Sequence, residues 1–122
     1  MSHNAHCPVE ATLELIGGKY KSLILWHLAD GTLRFSQLRR ELGGITPKML
    51  TQQLRELEAS SLIHREVFPI VPPKVEYSLT ELGKSLMPLL VAMRDWGSSY
   101  LRSQALEPNC FMLNRDPLPT NT

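Results

Sequence analysis

Apolar residues recur at helical spacing in the first quarter of the chain. In residues 8–17 they return every three or four positions, and a Gly-Gly pair follows them, which predicts a helix with a defined end. The next segment, residues 19–31, is apolar almost all round and stops at a glycine. A helix that is apolar on every side is buried, so we expect this second helix to form the centre of the core.

A short extended piece, a small helix, a glycine turn and a longer helix are predicted next. Ser36 opens the small helix, SQLRREL, with its leucines inward and Arg39 outward. After glycines 43–44, Thr46 is a candidate N-cap and Pro47 suits the first helical position. This order is typical of a helix-turn-helix, whose second helix enters the DNA major groove. Helical hairpins without a DNA function have a similar pattern.

The helix after Thr46 has two different faces at about 100° per residue. Three leucines and Ser61 gather on one side, which is predicted to pack. The other side carries long hydrogen-bond donors and a small residue, which are suited to base edges and phosphates. An ordinary amphipathic surface helix has the same pattern, and the neighbouring elements favour DNA recognition. The polar side consists of Lys48, Gln52, Arg55 and Ala59, with Thr51 at its margin.

Two alternating segments, IHREVF and KVEYSL, flank the proline-rich sequence PIVPP. They predict a two-stranded hairpin with a stiff tip. One hairpin is marginal in water and must lean on the helices. A hairpin directly after a helix-turn-helix makes a winged helix-turn-helix, a mainly α (α+β) fold with a two-stranded β-wing. Arg65 and Lys74 in its strands suit backbone phosphates, or are ordinary solvated charges.

Residues 80–104 predict one long helix, which Pro88 should bend near its middle. Its apolar positions extend beyond what a small core can cover, so we expect a dimer surface formed with the first helix. The final residues have no periodicity and three prolines, and apolar residues 111–113 could strap them onto the domain. The predicted organisation is one domain over residues 1–106 and a tail over residues 107–122.

Composition narrows the classes of function. A chain of 122 residues with 43% hydrophobic and 20% charged residues fits one soluble domain. No apolar run approaches the roughly 18 residues of a membrane span, and the polar N-terminus does not resemble a signal peptide. We therefore expect a cytoplasmic protein without a membrane partner. The net charge is +1, but residues 34–76 carry seven Lys/Arg against five Glu, a balance of +2 that is compatible with a local DNA-binding patch.

The sequence contains few of the residue patterns that catalysis or metal binding requires. The sequence has no GxSxG, Walker, HExxH or glycine-rich dinucleotide motif, so we expect neither an enzyme nor a cofactor. His3, His6 and Cys7 are three possible metal ligands, which keeps a metal- or small-ligand-responsive regulator as an alternative, although no fourth ligand is evident and no metal site is predicted. A winged helix that serves only protein contacts is the other alternative.

Four blocks in sequence order resemble the HxlR family of winged-helix transcriptional regulators, a branch close to the MarR proteins. They are CPVEATLELIGGKYKSLIL, RFSQLRRELGGITPKMLTQQLRELE, LIHREVFPIVPPKVEYSLTELG and the pair Trp96-Gly97. The resemblance implies a dimeric bacterial regulator that binds double-stranded DNA. It also implies dimerisation through the terminal helices, and a symmetric dimer should recognise an inverted repeat. It does not identify the operator or the inducer.

Cys7 matches a cysteine that the family places directly before the first helix, and in some members this thiol senses oxidants or electrophiles. The partial positive charge of a helix N-terminus favours the reactive thiolate. A structural cysteine without a sensing role remains the alternative. Cys110 is a candidate resolving partner, or is idle in the tail.

The predicted DNA contacts lie on the small helix that Ser36 opens, on the helix after Thr46 together with its cap, and on the wing. They are Ser36, Arg39, Thr46, Lys48, Met49, Thr51, Gln52, Arg55, Arg65 and Lys74.

Overall fold

The computed structural model describes residues 6–109 and 111–113. Short 3-10 turns span Leu28–Asp30 and Phe111–Leu113. The arrangement is a winged helix-turn-helix, as the sequence predicts. In chain order the helices and strands are α1 (Pro8–Ile16), α2 (Lys21–His27), β1 (Leu33–Arg34), α3 (Phe35–Leu42), α4 (Pro47–Ala59), β2 (Ile63–Phe68), β3 (Lys74–Leu79), α5 (Glu81–Lys84) and α6 (Met87–Ser103).

Helix α2 lies at the centre of the core, which confirms the prediction from its apolar surface. Its Ile24 and Leu25 are completely inaccessible to solvent. Helix α3 contributes Leu38 to the same cluster, and α4 contributes its leucines. The spacing of Leu50, Leu54 and Leu57, four residues and then three, therefore fixes which side of α4 faces inward and which side faces solvent.

The sheet has three strands in the order β1-β3-β2. The predicted hairpin is confirmed as β2 and β3, which pair antiparallel from Ile63 opposite Leu79 to Phe68 opposite Lys74. The two-residue strand β1 adds to the other side of β3, with Leu33 opposite Tyr77. This third strand ties the middle of β3 to the segment that leads into α3.

The end of α4 differs from the prediction for Ser61. The helix stops at Ala59, and Ser61 is exposed with φ of 63°. The N–H of Leu62 donates to the Leu57 carbonyl and that of Ser61 to the Glu58 carbonyl, which is a Schellman motif. Leu62, rather than Ser61, continues the packing face because it is fully buried.

The link from α4 into the wing is held by the start of α5. Thr80 donates a hydrogen bond of 2.6 Å from Oγ1 to the Ser61 carbonyl, and accepts one from the N–H of Gly83. A Cβ at position 83 would overlap the carbonyl oxygen of Leu62. Glycine is therefore required by the close approach of the backbones at Gly83 and Leu62.

The single bent helix predicted over residues 80–104 is wrong. The chain forms α5 and α6, which are separated at residues 85–86. Pro88 lies in the first turn of α6, where its missing N–H removes no helical hydrogen bond. Starting a new helix thus avoids the interior bond that proline would have broken.

The predicted strap near the C-terminus is confirmed for Met112. This residue is 9% exposed and belongs to the hydrophobic core. Its carbonyl accepts a hydrogen bond from Nη1 of Arg94 on α6. The predicted domain boundary after residue 106 stays a prediction. Met112 lies beyond this boundary and packs into the core.

Candidate nucleic-acid interface

The N-terminus of α4 is built as the sequence predicts. The Thr46 hydroxyl accepts a hydrogen bond of 3.1 Å from the N–H of Met49, and Pro47 occupies the first turn. These two residues fix where the helix begins. The positions of all outward side chains on α4 follow from that start and from its buried leucines.

Four side chains of α4 form one polar surface, which we call the reading face. Lys48, Gln52 and Arg55 are exposed, and Thr51 is half-buried at the edge. All four line one open groove that runs along the helix. The structure therefore brings together the residues that the helical periodicity had grouped, while their contact with DNA stays a prediction.

The two basic residues predicted on the wing lie on opposite faces of the hairpin. Arg65 is paired with the buried Tyr77, and it lines a cleft shared with Thr51 and Arg55 of the reading face. Lys74 is on the other side, where its Nζ lies 3.5 Å from Glu76 and 4.5 Å from the centre of the Phe68 ring. Arg65 thus extends the reading face, whereas Lys74 is held by contacts within the wing.

The remaining predicted contacts lie on α3 and at the start of α4. Ser36 and Arg39 are exposed on α3. Met49 is 38% exposed on α4, and its sulfur accepts a 3.6 Å contact from Nε2 of Gln53. Thr46 is exposed, but its hydroxyl is already engaged in capping α4.

Glu56 is a residue of this surface that the sequence analysis missed. Its carboxylate accepts a hydrogen bond from Gln52 and forms an ion pair of 2.7 Å with Lys21 of α2. These contacts lower the pKa of Glu56, with the hydrogen bond from Lys21 as the largest cause. The four-residue spacing from Gln52 to Glu56 signals a possible contact on a helix, but nothing in the sequence indicates Lys21.

Cys7 immediately precedes α1 and occupies its N-cap position. Its thiol is free and half-buried. Cys110 and His3 lie outside the described residues, so the predicted pairing of the two cysteines stays a prediction. Within residues 6–109 and 111–113, no three His, Cys, Asp or Glu side chains are grouped closely enough to hold a metal ion.

Exposed apolar side chains characterise the terminal helices. On α1, Val9 and Leu13 are 66% and 59% exposed. On α6, four exposed apolar residues recur along one side and form what we call the apolar stripe. The stripe comprises Leu89, Met93, Trp96 and Tyr100. Trp96 and Tyr100 stack with ring centres 5.7 Å apart. In the described part of the chain, no helix has the length and apolar character needed to cross a membrane.

Comparison with known proteins identifies the family. The sequence profile of the HxlR-like helix-turn-helix matches residues 15–105, which include the helix-turn-helix, the wing and α6. The chain belongs to the HxlR family. It is a helix-turn-helix transcriptional regulator, as are its relatives, and its MarR-like architecture agrees with the resemblance seen in the sequence.

Individual relatives match most of the chain. The HTH-type transcriptional regulator YdeP of Bacillus subtilis (strain 168) is 57% identical over 94 residues, which are 77% of this chain and 73% of YdeP. The redox regulator HypR in its reduced form is 52% identical with a TM-score of 0.76, over 81% of this chain and 97% of HypR. The quinone-bound YodB from B. subtilis is 32% identical with a TM-score of 0.66, over 76% of this chain and 99% of YodB.

Proposed function

We propose that the protein regulates transcription by binding double-stranded DNA as a homodimer, with α4 in the major groove. The observation that carries this proposal is the reading face, where three exposed donors and Thr51 lie above three fully packed leucines. Lys, Arg and Gln make the phosphate and base-edge contacts of such helices. Arg65 continues this surface toward the wing, so it is the stronger of the two wing candidates for a phosphate contact.

A second copy of the chain is the proposed partner for the apolar surfaces of α1 and α6. Trp96 is 71% exposed, beside a stacked Tyr100. Large aromatic side chains are enriched at the centres of protein interfaces. A symmetric dimer would present two copies of α4, so its operator should be an inverted repeat with half-site centres about 10–20 bp apart.

The DNA-binding function is tested by sequencing the genomic fragments that the purified protein retains. The expected result is enrichment of an inverted repeat, bound with an affinity that falls steeply as salt is raised, because cations on the protein displace counterions from phosphates. Retention without sequence enrichment, or no retention at low salt, would contradict the proposal and favour a winged helix that serves protein contacts.

A response to oxidants or electrophiles through Cys7 is a finer part of the proposal. It is supported by the half-buried free thiol at the start of α1 and by the similarity to a redox regulator and a quinone-bound regulator. Oxidation would yield a sulfenic acid or a disulfide, which would change packing at the proposed dimer surface and hence the spacing of the two α4 helices. No inducer is assigned.

The redox proposal is tested by DNA titration before and after treatment with mild peroxide or a quinone. Cys7→Ser and Cys110→Ser are compared with the parent. We expect oxidation to change the affinity of the parent and to leave Cys7→Ser unaffected. Equal affinity in all samples, with thiol modification verified by mass, would leave Cys7 a structural residue.

A further inference from the structure

Glu56 connects helix α2 to the reading face. Its Oε1 lies 2.7 Å from Nζ of Lys21, and its Oε2 accepts a hydrogen bond of 3.1 Å from Nε2 of Gln52. One carboxylate oxygen therefore meets a cation from another helix, while the other oxygen meets a side chain of the reading face.

Lys21 is the fixed end of this chain of contacts. Only 14% of its side chain is exposed, compared with 43% for Glu56. Lys21 is also the first residue of α2, the helix that supplies Ile24 and Leu25 to the core. The ion pair thus attaches an exposed carboxylate of α4 to a helix at the centre of the core.

The charge on Glu56 decides which way the Gln52 amide faces. The hydrogen bond from Lys21, the hydrogen bond from Gln52 and the attraction of the ammonium group lower the pKa of the Glu56 carboxyl, so this group is ionised at neutral pH. An ionised carboxylate only accepts hydrogen bonds. Gln52 must therefore turn its NH₂ group toward Glu56 and its carbonyl oxygen away.

We propose that Lys21 and Glu56 are positioning residues, which hold the Gln52 amide in one of its two orientations for reading an adenine in the major groove. Adenine presents the N7 acceptor beside the N6 donor, and a glutamine amide can pair with both. In the held orientation Gln52 keeps its Oε1 acceptor and a second N–H for that pair. A side chain that is already oriented loses less conformational freedom on binding. This inference rests on the proposed DNA-binding function and adds the base and the supporting residues.

The test compares Lys21→Met with Lys19→Met on the operator recovered from the retained fragments. Both changes remove one positive charge near α4, but Lys19 contacts the Tyr20 ring rather than Glu56. Affinity is measured for the operator and for versions in which each base pair is replaced in turn. We expect Lys21→Met to reduce the preference for adenine at one position by about threefold to tenfold, which is less than the full contribution of a bidentate contact. Lys19→Met should keep that preference.

Two further variants separate positioning from general stability. Lys21→Arg retains the cation and should restore the preference. Glu56→Gln should lose it while binding random DNA at least as tightly as the parent, because a negative charge near the phosphates is removed. In the Gln52→Ala background, Lys21→Met should have no further effect on base preference. A purely structural role would lower the melting temperature without this pattern.

The possible failures can be told apart. If the parent does not distinguish its operator from random DNA, the proposed function fails and this inference fails with it. If the parent discriminates but Gln52→Ala does so equally well, Gln52 does not read a base. If Gln52→Ala loses the preference while Lys21→Met and Glu56→Gln keep it, the positioning role is wrong.

Discussion

Helices α4 and α6 share two local devices at their ends but present different outer surfaces. Each has a proline in its first turn, Pro47 or Pro88. Each is followed by a non-glycine residue with φ near 60°, Ser61 after α4 and Ala105 after α6, within the hydrogen-bond pattern of a Schellman motif. These shared devices thus do not distinguish the roles of the two helices.

The outer surfaces do distinguish them. The reading face of α4 is polar, with Lys48, Gln52 and Arg55 exposed, whereas the apolar stripe of α6 includes Trp96 at 71% exposure. A polar, cationic surface suits a phosphate-rich partner, and its binding should weaken with salt. An apolar stripe suits another apolar surface, and its association should depend on protein concentration and little on salt.

The largest expected effect is on dimerisation, from Trp96→Ala. Removing the most exposed aromatic of the stripe should weaken the dimer by about 2–4 kcal/mol, as is typical of a central interface tryptophan. Sedimentation over a range of protein concentrations would measure the dissociation constant. Leu82→Ala is the control, because Leu82 is also an exposed apolar residue, at 52%, but lies on α5. A dimer that is unchanged by Trp96→Ala would exclude the stripe as the interface.

The next effect is on base recognition, from Gln52→Ala and Arg55→Ala. Each should reduce discrimination between the operator and random DNA by about 1–3 kcal/mol while leaving the fold intact. Competition binding at fixed salt gives this difference directly. Arg102→Ala, which removes an exposed charge from the last turn of α6, should have no such effect. If the double variant Gln52→Ala/Arg55→Ala binds the operator as tightly as the parent, α4 is oriented differently on DNA.

The elements that the sequence predicted correctly depend on neighbouring residues. The cap at Thr46 and the inward leucines of α4 follow from local spacing, as does the alternation of β2 and β3. The reading face was grouped for the same reason, because a helix with a known start and a known buried side leaves one orientation for the rest. Its role in DNA binding is not tested by the fold.

The parts that the sequence did not predict depend on contacts between distant segments. Ser61 leaves the helix because Leu62 is buried and the Ser61 carbonyl accepts from Thr80, nineteen residues away. The extended piece at Leu33-Arg34 was predicted, but its pairing with β3 as a third strand was not, because the two segments are more than forty residues apart. Lys21 meets Glu56 across two helices, which no local spacing encodes.

A smaller effect would show that the ends of α4 and α6 are equivalent. Ser61→Gly should raise the free energy of unfolding by about 0.5–1 kcal/mol, because glycine adopts the left-handed conformation without strain although it also loosens the unfolded chain. Ala105→Gly should give a similar gain. Ser60→Gly is the matched control, since Ser60 has φ of −83° and should lose stability. Denaturant titration measures all three, and a loss of stability in Ser61→Gly would contradict the strain.

The smallest effect concerns acid and the ion pair that links α2 to the reading face. The folded-state pKa of Glu56 lies below its ordinary value, chiefly because of the hydrogen bond from Lys21. The stabilisation is therefore complete above the unfolded-state pKa, about 4.3 for glutamate, and is lost as pH falls through the lower folded-state pKa. The unfolding free energy of Lys21→Met should thus decline less between pH 6 and pH 3 than that of the parent. The difference should be small, because Glu56 is exposed to water and its charge is screened by salt.

The control for this acid effect is Lys19→Met, which should follow the parent. Titration of the Glu56 carboxyl by NMR should show its pKa rising in Lys21→Met alone. Parallel curves for all three proteins would mean that the ion pair does not persist in solution, so the reading face would lack the fixed support from α2.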